Sequence, residues 1–170
     1  LYRLSVIKKE NNFWKTSKLL HLTYKTILII LYISTISYAE IVKPNNGIEP
    51  FLVIQIQLRS LKHNDSPKKD NGIEQTWEFA HPNNQKSTGP LERFKTMIKG
   101  KSYGMLLNHL DHKVVEIKST DLTALFEVTV LDKDKAYHKF NWTVEKYTAE
   151  GPLKGCWLTT MVSAPMPLGS

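Results

Sequence analysis

The stretch Ile73–Met97, IEQTWEFAHPNNQKSTGPLERFKTM, decides how this chain is read. Ile73, Thr76, Trp77 and Ala80 recur at i, i+3, i+4 and i+7, which places them on one face of a short helix. Asp70 stands where an N-cap belongs. The helix is predicted to stop near His81, because Pro82 lacks an amide proton and disfavours helical geometry in the residue before it. A second helix is predicted with Gly89 as N-cap, Pro90 at its first position and Glu92 three residues after the cap. Its apolar stripe is Leu91, Phe94 and Ile98, and Gly100 closes it. Between the two helices, residues 81–89 (HPNNQKSTG) read as a polar loop.

Upstream, FLVIQIQLRSLKHND (51–65) has two readings. Phe51, Ile54, Leu58 and Leu61 make a helical stripe, whereas Ile54, Ile56 and Leu58 alternate with glutamines as in a strand. The length of the run, Pro50 at its start and Asn64–Pro67 at its end favour a helix. Downstream, Tyr103–Leu107 reads as one helical turn. Residues 113–119, 122–131 and 136–148 then alternate with period two between polar turns, and 157–162 forms a last strand after Glu150-Gly151-Pro152. Helices followed by hairpins indicate α+β with an antiparallel sheet.

Parity assigns faces to these strands. Leu122, Ala124, Phe126, Val128 and Val130 share one face, with Thr123, Glu127 and Thr129 on the other. In the next strand Phe140, Trp142 and Val144 oppose Asn141 and Glu145. The apolar faces are expected beneath the helices. His138 and Lys146 have the same parity as the apolar set but sit at the strand ends, where exposure is expected.

The N-terminal part differs in character. Lys15, Lys18 and Lys25 precede Ile27–Ile36, an apolar run of ten residues followed by Ser37-Tyr38-Ala39. That is the layout of an export signal, and the run is shorter than the ~20 apolar residues of a membrane helix. A buried helix or an uncleaved anchor through residues 26–39 is the alternative. The division expected is therefore a signal or targeting segment at 1–39, a linker at 40–49 rich in Pro and Asn, a domain at 50–165 and a tail at 166–170. Localisation follows as periplasmic, secreted or plastid-lumenal.

Charge excludes one class of partner. The 170 residues carry +7, but six of the 23 basic and one of the 16 acidic residues lie in 1–39, leaving 17 basic against 15 acidic. Scattered, compensated charge lacks the basic stripe of a nucleic-acid binder. Cys156, the one cysteine, has no partner for an intrachain disulfide.

Phe79-Ala80-His81-Pro82-Asn83, Thr88-Gly89-Pro90-Leu91, Arg93-Phe94 and Met97, with Gly155-Cys156-Trp157-Leu158-Thr159, resemble an uncharacterised family of photosynthetic organisms and bacteria. That family is similar to the nuclear-transport-factor-2-like, or cystatin-like, cone fold. The resemblance spans residues 50–163, and its pattern has a small residue such as Ser where this chain carries His81. It implies N-terminal helices packed into a strongly curved antiparallel sheet, and no particular reaction.

Motifs of chemistry are sparse. Cone-fold enzymes such as ketosteroid isomerase-like proteins place a carboxylate or His inside the cavity, because a desolvated group can be tuned for proton transfer. Parity puts none there in this chain. His109 and His112 are three apart without the third and fourth ligands a metal site needs, so neither metal nor cofactor is expected. Asn64-Asp65-Ser66 and Asn141-Trp142-Thr143 match the glycosylation sequon as chance triplets. Trp77, Phe79, Phe94, Phe126, Phe140, Trp142 and Trp157 serve either as core packing or as the walls of an apolar pocket in the mouth of the cone. The polar rim of that pocket would come from His81, Asn83, Asn84, Arg93 and Tyr103, with Arg93 also expected to tie its helix to the loop or to a sheet carboxylate. Two functions follow: a non-catalytic binding domain for a small apolar ligand or a protein partner, with homodimerisation through the sheet as an option, or a small isomerase, cyclase or hydrolase acting on an apolar small molecule.

Overall fold

A computed structural model describes residues 40–168. Among these described residues, four α-helices and a short 3-10 turn precede an antiparallel sheet, an α+β arrangement. Residues 1–39, on which the signal reading rests, lie outside the described part.

Helix α1 (Pro50–Lys62) carries proline at its first turn and buries Val53, Ile54, Gln57, Leu58 and Leu61, the spacing of one helical face. Gln57 is the polar member of that stripe. Before it, residues 40–49 form no helix or strand but are tied to the domain. The Gln75 carboxamide exchanges two hydrogen bonds with the Val42 backbone at 2.7 and 2.8 Å, and Ile48 is buried.

Helix α2 (Asn71–Glu78) begins at Asp70, yet the cap is not the one expected. Asp70 has φ +63° and its side chain makes no capping bond; instead Asn64 Oδ1 accepts from Ile73 N at 3.1 Å and Asn64 O from Gly72 N at 2.9 Å. The Asp70 carboxylate turns to Lys99, 2.7 Å away. Gly72 is required by packing: a Cβ there would lie 2.1 Å from the Ser60 carbonyl oxygen, so α1 and α2 cross backbone to backbone.

Residues 81–89 correct the sequence reading. Pro82–Thr88 is a helix, α3, where a polar loop is expected. Proline suits the first helical position, the His81 ring accepts from Asn83 N at 3.1 Å as an N-cap, and the Ser87 and Thr88 hydroxyls donate to carbonyls four residues back. Helix α4 (Leu91–Lys99) is capped at Pro90 rather than Gly89. Gly89 serves packing instead, since a Cβ would fall 2.7 Å from the Trp77 ring and 2.5 Å from the Gln85 carbonyl oxygen. The single turn expected after Gly100 is the 3-10 segment Gly104–Leu106.

The strands are β1 (Asp111–Ser119), β2 (Thr123–Leu131), β3 (Tyr137–Lys146), β4 (Trp157–Val162) and a two-residue β5 (Met166–Pro167) that the sequence reading missed. The order is β1-β2-β3-β4, with β5 pairing beside His138 and Lys139 of β3. Register shifts at Glu116/Lys118 and Thr143/Val144 mark bulges, which bend a strand locally. Parity holds where it matters: Ala124, Phe126, Val128, Val130, Phe140, Trp142 and Val144 are buried together with Ile54, Leu58 and Ile73 of the helices. Leu122 departs from it, lying just before β2 and exposed. His138 departs from its expected exposure too, because its Nε2 sits 2.7 Å from an Asp132 oxygen and its side chain is largely buried. On the opposite face, Glu127 pairs with Lys139 at 2.9 Å. Antiparallel sheets commonly leave one face to solvent in this way.

Segment Phe79–His81 links helices and sheet. Thr159 N donates to Phe79 O at 2.7 Å and His81 N to Thr159 O at 2.8 Å, a one-residue parallel bridge at Ala80. It brings α2, α3 and β4 to one point, and a cavity lined by Ala80 and Thr159 opens beside it.

Candidate functional site

The cavity holds about 100 Å³ and is partly open to solvent. Leu61, Phe94, Met97, Ile98, Leu106 and Val162 supply its apolar wall, Ala80 and Tyr103 adjoin it, and Gln57, Thr76, Asn84, Thr88, Trp142 and Thr159 form the polar side. Among these described residues there is no carboxylate, imidazole, amine or thiol. Tyr103 is the one titratable member, and its hydroxyl lies 3.3 Å from the Val162 carbonyl oxygen.

Buried hydrogen bonds organise the polar side. Trp142 Nε1–H can only donate, so Thr159 Oγ1, 3.2 Å away, accepts; the Thr159 hydroxyl proton then goes to Gln57 Oε1 at 2.7 Å. Gln57 Nε2 donates to the Thr76 carbonyl at 3.0 Å, which fixes the orientation of the carboxamide from both ends. Thr76 donates its own hydroxyl to Gly72 O at 2.8 Å. On the helix α3 side, Asn84 Nδ2 donates to Thr159 O at 3.2 Å and Thr88 to Asn84 O at 2.8 Å. Gln57, Thr76, Trp142 and Thr159 are all buried, so this network is held in a medium where leaving any member unpaired is costly.

Of the residues singled out in the sequence, Phe94, Tyr103 and Trp142 line this cavity, as does Asn84 from the polar rim. The others lie elsewhere. Trp77 packs on Phe94 with ring centroids 5.0 Å apart, and Phe126 and Phe140 belong to the core beneath the helices. Trp157 is buried with the Lys146 ammonium 5.0 Å from its ring centroid. His81 is half-buried, caps α3 and packs against Tyr147 with the rings tilted at 58° and their centroids 5.4 Å apart. Asn83 and Arg93 are exposed, and the expected link from Arg93 to a loop or sheet carboxylate does not form among the described residues. Gln57, Thr76 and Thr159 went unassigned in the sequence. Gln57 left a signal, a glutamine on an otherwise apolar helical stripe; Thr159 stood in the quoted motif without a role.

A second cluster lies at the start of β1. His109 Nδ1 is 2.7 Å from Leu106 O and its Nε2 is 2.7 Å from His112 Nδ1. The carbonyl can only accept, so His109 carries its proton on Nδ1 and takes one from His112 on Nε2. Burial pushes the His109 pKa down to about 4; burial, then Lys62, lowers that of His112. The two rings bond each other rather than point to a common centre. Among the described residues, no three His, Cys, Asp or Glu side chains gather as a metal site.

Two wider, shallower depressions occupy the uncovered sheet face. One is bordered by Asp111, Lys113 and Tyr137 and the other by Lys118, Leu125, Asn141 and Met161, at about 170 and 510 Å³. Size alone does not make a site, and the smaller cavity under the helices is the one with buried, convergent polar groups. No helix among the described residues is long and apolar enough to cross a membrane. Comparison of the chain with protein-family models, with curated proteins and with solved structures found no match.

Proposed function

We propose that this protein is a non-catalytic binding domain that holds a small, largely apolar molecule in the cavity between its helices and strands β3 and β4. One observation carries the reading: the cavity is enclosed mostly by apolar side chains, with a few oriented polar groups and no ionisable group suited to proton transfer. The isomerase, cyclase or hydrolase alternative needs a tuned acid or base in that space, and nothing on its walls supplies one. Helices laid on one face of an antiparallel sheet with two bulges are consistent with a nuclear-transport-factor-2-like cone, which is the architecture we assign. The Lys15–Ala39 layout supports export of the domain, and N-terminal sequencing of the natural product should then begin near Glu40.

Native mass spectrometry of the purified protein tests the binding reading. A bound mass that disappears on denaturation, and is absent from Ala80→Leu, which fills the cavity, is the expected result. The same bound mass on wild type and Ala80→Leu would place the ligand elsewhere.

A further inference from the structure

We infer that the cavity selects small neutral molecules presenting a hydrogen-bond donor and acceptor side by side, as a primary amide does, with a short apolar remainder. This deepens the binding function proposed above and rests on it.

The hydrogen-bond inventory leads to this class. A carboxamide offers two N–H donors and an oxygen with two lone pairs. Gln57 uses one N–H on Thr76 O and one lone pair for the Thr159 hydroxyl, so one donor and one acceptor remain. Asn84 spends one N–H on Thr159 O, and its oxygen has only the long 3.4 Å contact from Thr88. Two carboxamides therefore border one cavity, each with an unused N–H and a lone pair. A hydrocarbon in that space would leave the spare groups of the buried Gln57 carboxamide dry, which is unfavourable for a buried polar atom. An ionised ligand would do worse, because no opposite charge lines the walls to replace its lost hydration. A neutral amide answers both conditions: its N–H meets a carboxamide oxygen, its oxygen meets an N–H, and its alkyl part meets Phe94, Ile98 and Leu106. The size limit is tight. The cavity's volume of about 100 Å³ is below the ~150 Å³ of a dry engineered cavity that admits benzene, so the enclosed part of the ligand is a few heavy atoms.

Three probes separate the possibilities: propionamide, propionate and xenon, titrated into the full domain. The readout is the NMR signals of the Trp142 indole N–H and of the Gln57 and Asn84 side-chain amides. Propionamide should shift these signals saturably and bind about ten-fold or more tighter than propionate or xenon. Asn84→Ala, which removes one half-buried carboxamide, should narrow the preference for amide over xenon; Gln57→Leu should narrow it further where the variant folds. Xenon or propionate binding as tightly as propionamide would overturn the ligand class while leaving the site in place. If none of the three moves the signals, the cavity holds water only, and both the class and the binding function fall.

Discussion

Thr159 on β4 donates its hydroxyl proton to the Gln57 carboxamide on α1 at 2.7 Å, across 102 positions of sequence. The Trp142 indole N–H on β3 donates to the Thr159 hydroxyl oxygen, so one hydroxyl joins a helix to two strands in the wall of the cavity. Replacing Thr159 by Val keeps the shape and removes both bonds, leaving the Trp142 N–H and Gln57 oxygen buried without those partners. The expected cost is about 1–3 kcal/mol, read from chemical denaturation, with Thr159→Ser close to wild type.

Gly89 makes a separate prediction about packing. Alanine there would press its methyl against the Trp77 ring and the Gln85 carbonyl oxygen, both closer than 3 Å. Gly89→Ala should destabilise by about 1–3 kcal/mol, the usual range for overpacking, and the same substitution with Trp77→Leu should recover part of the loss. Additive losses would show that the ring is not what Gly89 avoids.

Residues of α3 and α4 divide by contact. His81→Ala removes the side chain that caps α3 and should cost about 1 kcal/mol, whereas Asn83→Ala and Arg93→Ala at exposed positions should stay within about 0.5 kcal/mol of wild type. Thermal melts of the three variants side by side make the comparison.

The histidine pair sets an acid limit on stability. His109 has its pKa lowered from 6.5 to about 4 by burial, so as pH falls below 6.5 the unfolded chain takes up a proton that the folded protein refuses. Stability present above pH 6.5 is therefore lost progressively down to about pH 4, by about 3 kcal/mol in all. His112 acts in the same direction: burial, then Lys62, opposes its protonation, with Asp111 favouring it and Arg59 opposing it. The lowered carboxyls of Asp70, Glu74 and Asp132 lose their contribution in the more acid range, below the usual carboxylate values. Denaturation midpoints measured between pH 7 and 4 should fall for wild type and vary less for His109→Gln. A flat wild-type profile would contradict the assignment of both rings as neutral and hydrogen-bonded.

Much of the architecture could be read from local pattern, and the reasons differ from element to element. Helix α1 was legible because its apolar stripe is long and Pro50 marks its start, and β2 and β3 because strict alternation admits one inward face. Helix α3 was not, since Pro, Asn, Ser and Thr are turn formers by themselves. What makes them helical is a histidine cap and an anchorage to Trp77 O and Thr159 O. The two-residue β5 is too short to leave a pattern. At the cavity, parity put Trp142 inside, but Gln57, Thr76 and Thr159 are neutral residues from three distant segments, and only the folded chain brings them together. The same distance misled the reading of Asn83 and Arg93, which are neighbours of the wall in sequence and face solvent in space.

Whether the space between Gln57, Asn84 and Phe94 holds a ligand can be seen in a crystal structure of the protein as purified from its natural source. Density for a non-water molecule is expected within hydrogen-bond distance of the Gln57 and Asn84 carboxamides and in contact with Phe94. Density for water alone, or side chains collapsed into the space, would contradict it.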